Sequence, residues 1–105
     1  MEEVPIPENT AVTKTTDGKD KQVTEFSGNV VYQNVADYAA LLESMGFTVK
    51  EEFRNDGIYY VIATKDKVSI NSGLAHGIRD DIFLDKIAQG EEIKGTFSGK
   101  ITVEK

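Results

Sequence analysis

The most regular pattern in the chain is an alternation of apolar and polar positions near its carboxyl end. Between Ile93 and Val103 the odd positions are apolar or glycine, and the even positions are polar or charged. A period of two is typical of a strand with one dry and one wet face. We expect one half-exposed strand bent at Gly95 and Gly99, or two short strands that turn at Ser98 and Gly99.

Apolar residues at helical spacing predict a helix over residues 35–45. The stripe consists of Val35, Tyr38, Leu42 and Met45. Asn34 precedes it as a candidate N-terminal cap. Gly46 follows where a left-handed residue ends a helix, and Phe47 is placed to pack back on the last turn.

Aromatic and β-branched residues after this helix predict an antiparallel hairpin. Phe47, Val49 and Phe53 lie at even separations, and the Asp56-Gly57 pair suits a tight turn. The run 58–63 is apolar on both faces, which indicates a central strand. A further turn at 65–67 then leads into a strand at 68–70.

Residues 71–79 contain two glycines and no hydrophobic period, so we expect a loop there. Asp80 or Asp81 can cap a second helix over residues 81–89, and Gly90 can end it. The apolar side of this helix consists of Ile82, Phe83, Ile87 and Ala88.

The front of the chain is more polar. Acids and two prolines in residues 1–10 predict a flexible acidic tail. Asp17-Gly18 predicts a hairpin over about 11–16 and 19–26. Its large apolar residues are Val12, Val23 and Phe26, so we expect an arm that leans on another surface rather than a part of the central sheet.

These elements predict an α+β fold: a single small domain over residues 11–105, with two helices packed on one face of a twisted antiparallel sheet. Residues 11–26 form the N-terminal hairpin arm of this prediction. A chain of 105 residues is the size of one domain.

Composition narrows the classes of function. Twelve Lys and Arg against 18 Asp and Glu give a net charge of -6, which argues against nucleic acid as a partner. No apolar run approaches the ~20 residues that span a bilayer, so we expect no membrane partner. The acidic first residues are unlike a secretion signal, which favours a cytoplasmic protein. A secreted mature domain and a virion component are the alternatives.

The acids are concentrated in residues 1–46, which have a net charge of -5, whereas residues 47–105 have a net charge of -1. This front could steer the protein toward a basic partner, or simply keep it in solution.

His76 is the only histidine, and Arg79 and Asp80 follow it closely. A carboxylate could orient its imidazole for acid-base work. The commoner arrangement is a solvated loop histidine, and no nucleophile motif accompanies this one. One histidine and no cysteine do not make a zinc site, and neither an EF-hand loop nor a phosphate-binding glycine motif occurs. We therefore expect no enzymatic activity, no metal site and no cofactor.

Contact with another molecule remains the most plausible activity. If Tyr59, Val61 and Ala63 faced away from the helices, they would form an exposed apolar strip that needs a cover. We therefore single out Tyr59 and Val61, and His76, Arg79 and Asp80 in the loop, as candidate binding residues. The cover would be the polar N-terminal hairpin, a second copy of this chain or another protein, and a partner would be one of the last two.

The sequence thus favours a small acidic, non-enzymatic binding or accessory module. The first alternative is a structural subunit of a virion or cell-surface assembly that uses its N-terminal arm. The second is a small ligand-binding protein or enzyme that uses the loop around His76.

Overall fold

The structure, a computed structural model, describes residues 4–105 and confirms the α+β prediction. The six strands are β1 (Ala11–Asp17), β2 (Lys21–Val31), β3 (Thr48–Phe53), β4 (Ile58–Lys65), β5 (Val68–Ala75) and β6 (Lys94–Glu104). The two helices are α1 (Tyr32–Ser44) and α2 (Asp80–Ala88). All strands join one antiparallel sheet in the order β1-β2-β6-β5-β4-β3.

The last strand of the chain lies in the middle of this sheet. β6 pairs with β2 from Lys94 opposite Val31 to Glu104 opposite Lys21. Its other edge pairs with β5. The alternating segment is therefore one continuous strand, as the first of the two interpretations predicted.

A glycine in β6 makes room for the core. A Cβ atom on Gly99 would lie 2.7 Å from Cζ of Phe26, so the ring of Phe26 occupies the space that a side chain at this position would fill. Phe26 packs edge to face against Phe97 and Tyr38. These contacts join β2, β6 and α1.

Both helices cover the same face of the sheet. Val35, Tyr38 and Leu42 of α1 are buried, and so is Phe83 of α2. They pack on the buried strand residues Phe26, Tyr59, Val61, Ala63, Ile70, Leu74, Phe97 and Ile101. The hydrophobic core lies entirely between this covered face and the helices, and we call the other side of the sheet the open face.

The first helix begins three residues earlier than the sequence predicts. Asn34 does not cap it from outside but sits in its first turn, where Oδ1 accepts the Val31 N–H at 3.1 Å. Its end is as predicted: Gly46 has φ +94°, and the Phe47 N–H donates to the Leu42 carbonyl. The predicted C-terminal glycine of α2 is also confirmed, since Gly90 has φ +72°.

The predicted loop over 71–79 is wrong for residues 71–75, which belong to β5 and pair on both sides. Ser72 and Gly73 interrupt the alternation of apolar and polar residues that would have predicted a strand here. Ser72 faces the core, where its hydroxyl donates to the Val61 carbonyl at 2.8 Å. This bond satisfies the buried hydroxyl, so a polar residue is tolerated at an inward position.

The predicted N-terminal hairpin forms, but it is not an arm separate from the sheet. β2 pairs with β6 over 11 residues and contributes the buried Phe26 and Val30. Only β1 is arm-like, because all seven of its residues are exposed. The sparse apolar content of the hairpin reflects its position toward one edge of the sheet.

The predicted flexible tail covers residues 1–10. Residues 1–3 lie outside the described residues, but residues 4–10 pack along the covered face. Val4 and Ile6 contact the core, and the Tyr38 hydroxyl donates to the Pro5 carbonyl at 2.8 Å. A Cβ atom on Gly28 would lie 2.2 Å from the Asn9 carbonyl oxygen, so glycine allows this segment to cross β2.

Within residues 4–105, neither helix has the length and apolar content needed to cross a membrane.

Two adjacent leucines of α1 test which side of this helix forms the core. Leu42 is 0% exposed and Leu41 is 42% exposed. We expect Leu42→Ala to lower the free energy of unfolding by about 2–5 kcal/mol, because it leaves a cavity. Leu41→Ala should change it by less than about 1 kcal/mol. Urea denaturation of both variants measures the difference, and equal losses would contradict the packing described here.

Candidate functional site

The open face of the sheet holds a trough of about 510 Å³. Its floor is formed by β5 and β6, and its two walls rise from β4 on one side and from β1 and β2 on the other. The pairing register shows how the floor arises: Ser27, Ser98, Gly73 and Tyr60 lie opposite one another across four strands. Ser27, Ser98 and Gly73 are small and Tyr60 is large, so the surface is low beside the β4 wall.

Gly73 is the key position of the floor. Ile58 and Tyr60 lean over it from β4, and a Cβ atom on Gly73 would lie 2.8 Å from Cγ2 of Ile58. An aromatic side chain that covers a cross-strand glycine shields the exposed backbone. Ala75 and Ser98 continue the shallow floor on both sides.

The β4 wall is apolar. Ile58, Tyr60 and Ile62 alternate with the buried residues of β4, point to the open face and are each half-buried. They remain partly accessible because no helix covers this side. They are the large apolar residues of the trough lining whose side chains reach the open face.

Charged residues hold the ring of Tyr60 in place. The guanidinium of Arg54 lies 4.1 Å from the ring centroid, and its Nε donates to Glu52 Oε1 at 3.0 Å. The Tyr60 hydroxyl donates to Asp56 Oδ2 at 2.6 Å. This hydrogen bond raises the pKa of Tyr60 and lowers the pKa of Asp56. The outer face of the ring is thus covered by a cation rather than left free for stacking.

The opposite wall is polar. Glu25 on β2 pairs with Lys14 on β1 and with Lys100, whose side chain rises from the floor strand β6 at one end of the trough. Within residues 4–105, neither lysine makes an ion pair. Their ammonium groups are therefore available to a ligand.

The open face carries an excess of positive charge although the chain is acidic. By strand parity and side-chain contact it holds six cations: Lys14, Lys21, Lys50, Arg54, Lys94 and Lys100. Four carboxylates accompany them: Glu25, Glu52, Asp56 and Glu104. Within residues 4–105, half of the twelve basic residues but four of the 16 acids therefore lie on or beside this face.

Two of the predicted binding residues, Tyr59 and Val61, lie on the covered face of the sheet. Tyr59 is 2% exposed and Val61 is 0% exposed, because both point toward the helices. Burial also raises the pKa of Tyr59. The side of β4 that faces outward is the one with Ile58, Tyr60 and Ile62, so the predicted apolar strip exists on the alternate residues of the same strand.

The other three predicted residues lie together at the entrance to α2. The ring of His76 stacks on Phe83 with centroids 4.2 Å apart, and its Nδ1 accepts the Ile78 N–H at 3.1 Å. Asp80 Oδ2 accepts the Asn55 N–H at 2.7 Å. Arg79 points away, is exposed and pairs with Asp81.

These contacts form a joint between the β3–β4 turn and the segment before α2. The N–H groups of His76 and Gly77 both donate to the Gly57 carbonyl at 2.9 Å. His76 Nε2 and Asp80 Oδ1 are buried without hydrogen-bond partners among the described residues. Because Nδ1 accepts a backbone hydrogen, the neutral ring carries its proton on the buried Nε2. The imidazole therefore lies between the β3–β4 turn and α2, with Nδ1 hydrogen-bonded and Nε2 buried.

Within residues 4–105, no three His, Asp or Glu side chains are grouped in a way that could hold a metal ion. Comparison of the chain with protein-family models, curated proteins and solved structures found no match.

The joint makes stability sensitive to pH. Burial lowers the pKa of His76 below its ordinary value of 6.5, although Asp80 and Asp56 act in the opposite direction. The folded state therefore binds a proton less readily than the unfolded chain, so this stabilisation is complete above pH 6.5 and declines as the pH falls through that value.

We expect the urea midpoint of the wild-type protein to fall between about pH 7.5 and about pH 5 by more than that of His76→Phe. The phenylalanine keeps a ring against Phe83 but does not titrate. Parallel declines in the two proteins would show that His76 does not contribute to the pH dependence.

Proposed function

We propose that this chain is a small, non-enzymatic binding module that contacts another protein through the open face of its sheet. The observation that carries this function is the trough between the β4 wall and the β1–β2 wall. Ile58, Tyr60 and Ile62 supply apolar area there, and the small exposed residues Ala75 and Ser98 beside them let a partner approach the floor closely. Interfaces combine an apolar patch with a polar rim in this way.

The residues around the trough are those of a contact surface rather than of a reaction centre. Tyr60 and Arg54 belong to the side-chain types that contribute most to binding energy. Both are already held in position, by the Arg54–Glu52 pair and by the Tyr60–Asp56 hydrogen bond. A partner therefore meets side chains that lose little further freedom when it binds.

A structural role in an assembly is the second candidate, and the β1 edge supports it. All seven residues of β1 are exposed, and its outer edge has no neighbouring strand. Unpaired edges can join the strands of another copy. Lys14 and the shift in pairing between Val12 and Lys14 oppose such joining, since charge and bulges are common means of blocking an edge.

Site-specific photo-crosslinking tests the binding module. A photoreactive benzoylphenylalanine replaces Ser98 on the floor of the trough, and a control variant carries it at Glu43 on the exposed side of α1. In cells that produce this protein, we expect a discrete adduct with a second protein from position 98 and none from position 43.

Tyr60→Ala in the position-98 variant should remove most of this adduct, because the β4 wall loses its largest side chain. Adducts that form equally from both positions, or from position 43 alone, would contradict a contact surface on the open face.

Light scattering separates the binding module from the assembly subunit. For a module whose partner is another protein, we expect a mass of 11.6 kDa over about a hundredfold range of concentration. A mass that rises with concentration would favour assembly instead. Val12→Lys, which adds a charge to the β1 edge, should abolish such a rise if β1 forms the contact.

A further inference from the structure

We infer that the partner presents an acidic amphipathic α-helix, which lies in the trough parallel to the strands. This inference rests on the proposed function and identifies its partner by secondary structure and charge. It follows from three properties of the trough: the state of its backbone, its dimensions and its charges.

The backbone of the floor selects a helix over an extended peptide. β5 and β6 are inner strands with a hydrogen-bonded neighbour on each side. An extended segment gains its main affinity by pairing with an unpaired edge strand, which this floor does not offer. A segment that satisfies its own backbone hydrogen bonds can enter without leaving polar groups unpaired.

The dimensions of the trough fit one helix. Beside Ile58 and Tyr60, the low surface extends from β4 across β5 and β6 to β2, which is three strand spacings or about 14 Å. Lys100 bounds it at the Ile62 end. A helix with its side chains is about 10–12 Å across. The apolar wall from Ile58 to Ile62 is about 14 Å long, which matches about nine helical residues. Apolar side chains three and four positions apart would reach it.

The charges select an acidic flank. Lys100 rises from the floor strand β6 at the Ile62 end of the trough, and Lys14 lies beyond the trough on β1 with Glu25 between the two. Neither lysine makes an ion pair among the described residues, and Arg54 lies on the rim of the apolar wall. A helix whose apolar stripe rests on Ile58, Tyr60 and Ile62 would turn its carboxylates toward the two lysines. Complementary charge of this kind speeds encounter and fixes orientation.

Nucleic acid is the other polyanion that a cationic face could attract. The open face of the described chain, however, lacks the exposed aromatic rings on which bases would stack. Single strands bind to sheets by stacking bases on exposed rings. Among residues 4–105, Tyr60 is the only aromatic residue that points to the open face from a strand, and Arg54 already covers its ring. A protein helix therefore fits the observations better.

The test uses a synthetic helical peptide of about 18 residues with leucines on one stripe and glutamates beside it. Its first control carries lysine in place of each glutamate, and its second has the same composition in scrambled order. Binding is measured by calorimetry, and the site is located from the backbone amide resonances of the full chain.

We expect the acidic peptide to shift the resonances of Gly73 and Ser98 and to bind about tenfold more tightly than the lysine peptide. The double variant Lys14→Gln, Lys100→Gln should weaken its binding about tenfold. The matched double variant Lys19→Gln, Lys86→Gln removes the same charge elsewhere and should bind as the wild type does.

Equal binding of the acidic and lysine peptides, or shifts confined to the helical side, would overturn the inference. So would tighter binding of a single-stranded oligonucleotide at the same residues, or a contact in which the open face takes up a second copy. If photo-crosslinking at position 98 captures a protein while no helical peptide enters the trough, the helix is wrong and the binding module stands. If neither occurs, both are wrong.

Discussion

The packing of both helices against one face of the sheet is the interaction on which the rest of the structure depends. Leu42, Val35 and Phe83 reach the same layer as Phe26 and Phe97. All the large buried side chains point to the covered face or lie in the helices that pack on it. No helix among the described residues covers the open face. The open face is thus a consequence of where the hydrophobic core forms.

The open face is not simply a solvated surface. Its middle strands carry small residues, its β4 wall carries half-buried apolar residues, and six cations lie on it in a chain of net charge -6. The net charge of each segment did not predict that cations gather on this face. Residues 1–46 are acidic as a whole, yet they contribute Lys14 and Lys21 to it. Strand pairing collects residues from distant parts of the sequence into one electrostatic surface.

The sequence predicted the elements with strong local signals. The stripe of α1, the glycines after both helices and the alternation of β6 specify structure through nearby residues, and each was confirmed. A strand was predicted at β4, but β4 lies next to the edge strand β3 rather than at the centre of the sheet, and its orientation was not predicted. Tyr59 and Tyr60 both belong to an apolar run, and only pairing with β5, where Leu74 opposes Tyr59, decides which one is buried.

The errors have a common physical origin. Ser72 faces inward through a hydrogen bond to Val61, and Gly73 is covered by residues of the neighbouring strand. The contacts that allow a serine and a glycine in this strand come from the neighbouring strand β4. The local sequence does not show them, so β5 resembled a loop. The trough could not be predicted for the same reason. Glycine, alanine and serine form a floor only because strand pairing places them beside the larger residues of β4.

Lysine footprinting tests the central claim most directly, because it compares the open face with the rest of the surface in one experiment. The protein is acetylated briefly in extract from cells that produce it and again after purification, and each lysine is quantified. We predict that Lys14 and Lys100 are protected in the extract, whereas Lys19 and Lys86 react equally in both samples. Equal labelling of all four lysines in the two samples, or protection confined to Lys19 and Lys86, would contradict the open face as the contact surface.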